Sequence, residues 1–134
     1  MTDQMGTNLQ KPRGDQTILT VAMPRDTNTN GDIFGGWLLS QMDIAGGVAA
    51  SRRAQGRAVT VAVEEMEFHL PVQVGNLVAC YAEIIKTGNS SMTIKIEVWA
   101  SPHDQTRDPD KVTEGVFTYV AIDENRKPRS LPPL

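Results

Sequence analysis

The chain has 134 residues, of which 40% are hydrophobic, and this is enough apolar content for one folded domain without disulfides or structural metals. Thirteen Lys and Arg residues against sixteen Asp and Glu residues give a formal net charge of −3. Because these charges are interspersed, no basic stripe offers itself to a nucleic-acid backbone, and no run approaches the roughly 18 apolar residues of a membrane-spanning helix. Neither nucleic acid nor a membrane is an expected partner.

The single cysteine and the start of the chain both favour a cytoplasmic protein. Cys80 lies in the apolar run 77–81 and has no second cysteine to pair with, as is typical of a buried, inert thiol in a reducing compartment. Residues 1–15 are polar and lack the apolar core of a signal peptide. We therefore expect a flexible N-terminal tail over 1–15 and a cytoplasmic location.

The first half of the chain predicts one strand, one turn and one helix. The strand covers 16–22, which is β-branched and apolar and ends before Pro24. Turn-forming residues fill 26–32, including an Asn-Gly pair. From Gly35 to Arg53 the apolar residues follow a helical period, which predicts a helix of about five turns.

The predicted helix is rich in small residues, and two of them are interior glycines, Gly46 and Gly47. An interior glycine costs about 1 kcal/mol of helix stability relative to alanine. We therefore expect another backbone to approach the helix closely at these positions, as when a sheet wraps around it.

The second half of the chain predicts strands only. Four are expected, over 58–70, 77–86, 91–100 and 111–122. Short links and the lack of a second helical pattern make neighbouring strands antiparallel. The predicted fold class is α+β, with a curved antiparallel sheet of about five strands wrapped around one long central helix. The folded domain is expected over 16–122, followed by an extended, basic, Pro-rich C-terminal tail over 123–134.

Several common catalytic signatures are missing from the sequence. There is no G-x-S-x-G elbow, no P-loop and no H-E-x-x-H motif, and the two histidines, His69 and His103, are far apart. We therefore expect neither a metal nor a cofactor. An enzyme built on this chain would work with carboxylates, amides and backbone dipoles.

The segment 26–43 carries the candidate chemistry. Gly36 and Trp37 lie at the start of the predicted helix, where unpaired N–H groups and the positive end of the helix dipole could stabilise an oxyanion. Asp43 lies two turns further along; by residue type alone it is a catalytic base, a dimer-interface ion or an exposed polar residue. Asn28 by itself is more typical of a residue that shapes a turn.

The segment 23–43, followed by 56–64 and 71–76, resembles the YciA-type acyl-CoA thioesterases of the hotdog superfamily, to which the brain acyl-CoA hydrolases also belong. The similarity continues through 86–91 and 112–121. The resemblance implies the hotdog fold, a homodimer formed by joining two sheets edge to edge, and a further assembly into a trimer of dimers.

The resemblance also implies roles for individual residues. The family's catalytic aspartate lies in the run G-G-W-x-x-S-Q-M-D, which places it at Asp43 as general base or nucleophile. Its asparagine in D-x-N-x-x-G corresponds to Asn28, reaching the site from the neighbouring subunit, and the carbonyl of an acyl-CoA substrate would bind at Gly36 or Trp37. The residues expected to bind coenzyme A, by type and family position, are Arg57, Lys86, Thr87, Gly88, Asn89, Ser90 and Ser91. Ordinary surface charge and a tight hairpin explain this last group equally well.

Two other functions fit parts of the sequence. A non-catalytic hotdog protein could bind acyl-CoA as a sensor, although an aspartate at position 43 argues against it. A hotdog hydratase would need a histidine with a nearby acid, and His69 is followed by Leu70 and Pro71 late in a strand instead of at the helix turn. Thioester hydrolysis is the function that the sequence favours.

Overall fold

The computed structural model describes residues 11–134, which form one antiparallel sheet with one helix packed against it. The sheet has five strands in the order β1-β3-β4-β5-β2. The strands are β1 (Asp15–Val21), β2 (Ala58–Phe68), β3 (Leu77–Thr87), β4 (Ser91–Ser101) and β5 (Asp110–Ala121), and the helix is α1 (Gly35–Ala54). A short 3-10 helix, Pro24–Asp26, precedes α1. The helix contacts all five strands, so the predicted α+β architecture is confirmed.

The core lies between the helix and the face of the sheet that it covers. Alternate residues of β4, namely Met92, Ile94 and Ile96, are fully buried, and so are Met42 and Ala45 on the helix. A strand turns successive side chains to opposite faces, so this alternation assigns one face of the sheet to the helix.

The small residues of the helix make room for side chains. A Cβ atom added at Gly46 would overlap the hydroxyl of Tyr119 and would lie 2.7 Å from Cδ1 of Ile96. At Gly47 the nearest atom belongs to the same tyrosine ring, at 4.0 Å. The predicted close approach to the helix is therefore confirmed at Gly46. The predicted partner, a second backbone, was wrong, because the group that packs against Gly46 is the side chain of Tyr119 from β5.

The C-terminal segment folds back onto the domain. Beyond β5, the carboxylate of Asp123 accepts the N–H groups of Asn125 and Lys127 at 2.8 and 2.9 Å, which closes a turn where an extended tail was predicted. An asparagine or aspartate side chain bonded to backbone two residues on is a common way to form such a turn. The chain then returns, and the Arg129 N–H donates to the carbonyl of Ala121 at 3.0 Å.

The N-terminal tail is described from Lys11 onward, and residues 1–10 lie outside the described part of the chain. Arg13 contacts the sheet: its backbone N–H donates to Glu97 at 3.2 Å, and its guanidinium pairs with Glu83 at 2.6 Å. Cys80 is free and buried, and burial raises the pKa of its thiol to about 12, as predicted for an inert cysteine. No helix within 11–134 is long and apolar enough to cross a membrane.

Candidate active site

Asp43 is partly buried in the middle of α1 and is held by two neutral hydroxyl groups. Thr60 donates from Oγ1 to Asp43 Oδ1 at 2.5 Å. The Tyr119 hydroxyl lies 3.0 Å from the same oxygen and 2.8 Å from the backbone carbonyl of Asp43. Among residues 11–134, no Lys, Arg or His forms an ion pair with this carboxylate, and Oδ2 accepts no hydrogen bond. Oδ1 is therefore fixed by two hydrogen bonds, whereas Oδ2 has no hydrogen-bond partner among residues 11–134.

The register of the sheet brings these two hydroxyl groups together. Thr60 of β2 lies directly opposite Tyr119 of β5, although the residues are far apart in sequence. The helix crosses this pair, and Gly46, nearly one turn after Asp43, leaves the space that the tyrosine ring needs. Neither residue was among the site residues predicted from the sequence. Tyr119 could have been suspected from its place on the buried face of a strand, because a buried tyrosine hydroxyl needs a hydrogen-bond partner.

Tyr119 acts here as a hydrogen-bond donor. Its side chain is buried, and burial, together with the Asp43 carboxylate, raises the pKa of the phenol well above its ordinary value. The hydroxyl therefore keeps its proton at any pH at which the protein works, and this proton is directed at Asp43.

The start of the helix has two N–H groups, those of Gly35 and Gly36, that donate to no acceptor among the described residues. The Trp37 N–H donates to the Phe34 carbonyl at 3.1 Å, because the first turn is tight, so the prediction that Trp37 could supply an oxyanion donor conflicts with the structure. The Gly36 N–H donates to no acceptor among the described residues, and a Cβ atom at Gly36 would meet nothing within 4 Å. Beside this end of the helix is an open cavity of about 290 Å³, lined in part by Gly35, Leu38 and Phe68.

Gly36 and Asp43 lie on the same side of the helix but are not adjacent. Seven residues separate them, which corresponds to about 10 Å along the helix axis. Moreover, the free N–H groups at a helix start point away from the body of the helix. Within one chain, these two groups therefore do not reach the same carbonyl group.

Asn28 shapes its loop in the way its residue type suggests. Its side-chain oxygen accepts the N–H groups of Asn30 at 2.8 Å and Asp32 at 3.2 Å. No described residue of the same chain accepts a hydrogen bond from the side-chain amide nitrogen of Asn28. The loop is thus folded around the Asn28 side-chain oxygen, and the amide N–H₂ group has no acceptor among the described residues of the same chain.

Residues predicted to bind coenzyme A meet at one end of the sheet, where β5 ends. The Ile122 N–H donates to the carbonyl of Arg57 at 3.0 Å, and the Ala121 N–H donates to that of Ser90 at 2.9 Å. Ser90 belongs to the tight connection between β3 and β4, which we call the hairpin tip, residues 86–91. Its members are Lys86, Thr87, Gly88, Asn89, Ser90 and Ser91, of which the first four are exposed. Arg57 is three residues from Thr60, or about 10 Å along an extended strand.

His69 is paired with a carboxylate on the other side of the sheet. Its Nε2 atom lies 2.7 Å from Oε2 of Glu114, and Lys95 and Lys111 also pair with Glu114. Gly115 faces Met42 of the helix, so its neighbour Glu114 points to the opposite face. Within residues 11–134 no group of three or more His, Cys, Asp and Glu side chains is arranged to hold a metal ion.

Comparison with known proteins identifies the family. Residues 30–106 match the family model described as the thioesterase superfamily. The chain is 51% identical over 133 residues to the acyl-CoA thioester hydrolase YciA of Escherichia coli K12, covering 96% of this chain and 98% of that protein.

Solved structures agree with the sequence comparison. The hexameric thioesterase y2039 of Yersinia pestis is 56% identical and superposes with a TM-score of 0.87, covering 92% of this chain and all of the other. HI0827, a hexameric broad-specificity acyl-coenzyme A thioesterase, is 46% identical with a TM-score of 0.87, covering 99% and 89% of the two chains. The fold is therefore the hotdog fold, and the chain belongs to the thioesterase superfamily, within the YciA-type acyl-CoA thioester hydrolases.

Proposed function

We propose that this acyl-CoA thioester hydrolase uses Asp43 as its catalytic carboxylate. The observation that carries the proposal is the environment of Asp43, in which two hydroxyl groups fix one oxygen while no Lys, Arg or His among residues 11–134 pairs with the carboxylate. A carboxylate held in this way keeps a defined direction, with its second oxygen left for attack or for proton transfer.

Two routes lead to the same products. As a general base, Asp43 takes a proton from water through Oδ2 while the water oxygen bonds to the thioester carbon. As a nucleophile, the same oxygen bonds to that carbon and forms an anhydride, which water then hydrolyses. In both routes the carbon–sulfur bond breaks, the sulfur leaves as a thiolate that takes up a proton, and the products are a carboxylic acid and coenzyme A. Thr60 and Tyr119 are positioning residues in either case.

We propose that the oxyanion donor comes from a second copy of the chain. The Gly36 N–H group is free, but about 10 Å of helix separates it from Asp43 of its own chain. Strand β2, which carries Thr60, is an edge strand, and its side chains Val61, Val63 and Phe68 are 56%, 43% and 55% exposed. An edge with such side chains is suited to pairing with another edge.

Pairing through β2 gives a homodimer, and the hexameric state of the relatives favours a trimer of such dimers. In this assembly Asn28 is proposed to reach the site from the neighbouring subunit, and its free amide N–H₂ group would orient the substrate carbonyl or the attacking water. Its side-chain oxygen, already bonded to two N–H groups, keeps the amide in place.

We place the nucleotide end of coenzyme A at the end of the sheet where Arg57 meets the hairpin tip. Cationic groups and clustered hydroxyl and N–H groups are the usual phosphate ligands, and Arg57, Lys86, Ser90 and Ser91 supply them. The separation from Arg57 to Thr60 lets an extended pantetheine arm run along the strand towards Asp43. Coenzyme A enters as part of the substrate, and no other cofactor is proposed.

The decisive experiment measures thiol release from acyl-CoAs of increasing chain length by the wild type and by Asp43→Asn. We expect the variant to lose at least about a hundredfold in rate, or about 2.7 kcal/mol of transition-state stabilisation. Asp108→Asn, an exposed position far along the chain, is the matched control and should keep the wild-type rate. If the wild type binds acyl-CoAs without hydrolysing any of them, the sensor hypothesis replaces this proposal.

A further inference from the structure

The C-terminal segment is bonded to the hairpin tip. We call residues 122–132 the C-terminal strap. The Leu131 N–H donates to the Asn89 carbonyl at 2.8 Å, and the Ser130 hydroxyl donates to Asn89 Oδ1 at 3.1 Å. Immediately before the strap, the Ala121 N–H donates to the Ser90 carbonyl at 2.9 Å. The strap is therefore bonded to both the main chain and the side chain of Asn89 in the hairpin tip.

The strap is itself anchored to the end of α1. The half-buried Arg129 donates from Nη2 to the Ala54 carbonyl at 2.7 Å and from Nε to the Ile122 carbonyl at 3.1 Å. Ala54 is the last helical residue, and its carbonyl belongs to the group that has no partner inside the helix. A cation at this end also suits the helix dipole. A Cβ atom at Gly56 would lie 2.6 Å from Nη2 of Arg129, so the glycine leaves room for the guanidinium.

A second contact fixes the far end of the strap. Arg53, in the last turn of the helix, donates from Nη1 to the carbonyl of Pro132 at 2.6 Å. Between the two arginine contacts, Leu131 packs against the hydrophobic core. The strap therefore runs from the helix end to the hairpin tip as a folded part of the domain.

The contacts of the strap with the hairpin tip affect how mobile the tip is. Lys86, Thr87, Gly88 and Asn89 are exposed, and an exposed connection between strands is ordinarily among the most mobile parts of a domain. A binding loop that is already ordered before its ligand binds loses little conformational entropy on binding, and this improves the affinity.

We propose that the C-terminal strap orders the hairpin tip for the nucleotide end of coenzyme A, with Arg129 as its positioning residue. Arg129 acts through the Ala54 and Ile122 carbonyls and through Asn89, and it touches neither coenzyme A nor the reacting atoms. This inference rests on the proposed placement of coenzyme A at the tip. It assigns the basic tail a role in substrate affinity that does not depend on direct contact with phosphate.

The test compares two substrates that share the thioester, butyryl-CoA and S-butyryl-pantetheine, which lacks the nucleotide. Arg129→Gln is expected to raise KM for butyryl-CoA about fivefold, the effect of about one lost hydrogen bond, with kcat unchanged. Its kinetics with S-butyryl-pantetheine should stay at the wild-type values. Arg126→Gln removes an exposed cation of the same segment, whose side chain forms no ion pair with a described residue, and should leave both substrates unaffected.

A conservative variant separates positioning from direct charge. Arg129→Lys keeps the positive charge but cannot span two carbonyls with a planar fork, so it should show the same raised KM as Arg129→Gln. A wild-type KM in Arg129→Lys would mean that charge alone matters, and it would overturn the proposal. An equal loss of rate with both substrates would also overturn it, because a general defect in folding has that signature.

Ser130→Ala keeps the test valid if the arginine variants do not fold. It removes one hydroxyl contact to Asn89 and should raise KM for butyryl-CoA about twofold without changing the melting temperature. Lys86→Gln tests the premise. If it leaves KM for butyryl-CoA unchanged, the placement of coenzyme A at the tip and the role of the strap are both wrong. If it raises KM while Arg129→Gln and Ser130→Ala do not, only the role of the strap is wrong.

Discussion

Two carboxylates on opposite faces of the same sheet are held in opposite ways. Asp43, on the helix side, accepts hydrogen bonds from the neutral hydroxyl groups of Thr60 and Tyr119. Glu114, on the other side, is surrounded by His69, Lys95 and Lys111 at 2.7 to 3.3 Å. Partial burial raises the pKa of Glu114, but the hydrogen bonds from these three groups outweigh it and lower the pKa to about 2.

This difference in hydrogen-bond partners distinguishes a carboxylate with a structural role from one that is proposed to take part in the reaction. A carboxylate that pairs with two lysine ammonium groups and is also bonded to a histidine is a weak base, because these partners stabilise its charged form. Hydroxyl donors fix direction without supplying a compensating charge. Charge compensation, more than burial or depth in a pocket, therefore distinguishes the carboxylate that we propose as the reacting group from the carboxylate that holds strands together.

The most direct test of this difference between Asp43 and Glu114 is to place a cationic side chain next to Asp43. Thr60→Lys places an ammonium group beside Oδ1, and we expect kcat to fall about a hundredfold because the paired carboxylate becomes a weaker base and nucleophile. The measurement is steady-state hydrolysis of butyryl-CoA. Thr60→Gln, of similar length and neutral, is the control for steric effects. A variant pair with equal rates would mean that charge at this position is irrelevant.

Removing a single hydroxyl group tests the positioning role itself. Thr60→Val is nearly isosteric and should lower kcat about tenfold with little change in KM, since the lost bond directs the carboxylate and not the substrate. Thr60→Ser keeps the hydroxyl and should recover most of the rate. Recovery in Thr60→Ser is the result that distinguishes hydrogen bonding from side-chain packing in the edge strand.

Tyr119→Phe should have a smaller effect in the same direction. The phenol shares its proton between Oδ1 and the Asp43 carbonyl, so we expect a loss of about fivefold in kcat, with KM unchanged. A kcat equal to that of the wild type would contradict the assigned role.

The opposite outcome is expected at Glu114. Glu114→Gln should leave the rate unchanged and lower the free energy of unfolding at pH 7 by about 1 kcal/mol, allowing for solvent screening of the ion pairs. Since folding lowers the pKa of Glu114 from 4.5 to about 2, its stabilising effect is complete above pH 4.5 and is lost as the pH falls towards 2. Urea titrations at pH 7 and pH 3 should show the difference between the proteins shrinking at the lower pH.

Much of the architecture was predictable from the sequence because periodicity determines it. The alternation in β4 and the helical spacing in α1 gave the elements and their buried faces, and short links gave the antiparallel order. Asp43 and Asn28 were predicted as site residues through a motif that is local in sequence. These features depend on residues close together in the chain.

The contacts around Asp43 were not predictable in the same way. Thr60 and Tyr119 meet only because of the register between β2 and β5, which is irregular directly after Thr60 and again between Glu64 and Glu67. The engagement of the Trp37 N–H depends on how tightly the first turn of the helix is wound. The role of Gly46 could be assigned only once the side chain that packs against it was known. Each of these depends on three-dimensional geometry that residue type does not encode.

The position of Thr60 on β2 has a consequence for how the enzyme responds to its own concentration. Within one chain β2 has a single neighbouring strand, β5, so its outer backbone groups must find partners elsewhere or in water. The hydroxyl that directs Asp43 is thus carried by one of the two edge strands of the sheet. If subunits separate on dilution, that strand loosens first, and the specific activity should decline with decreasing protein concentration before any unfolding becomes visible.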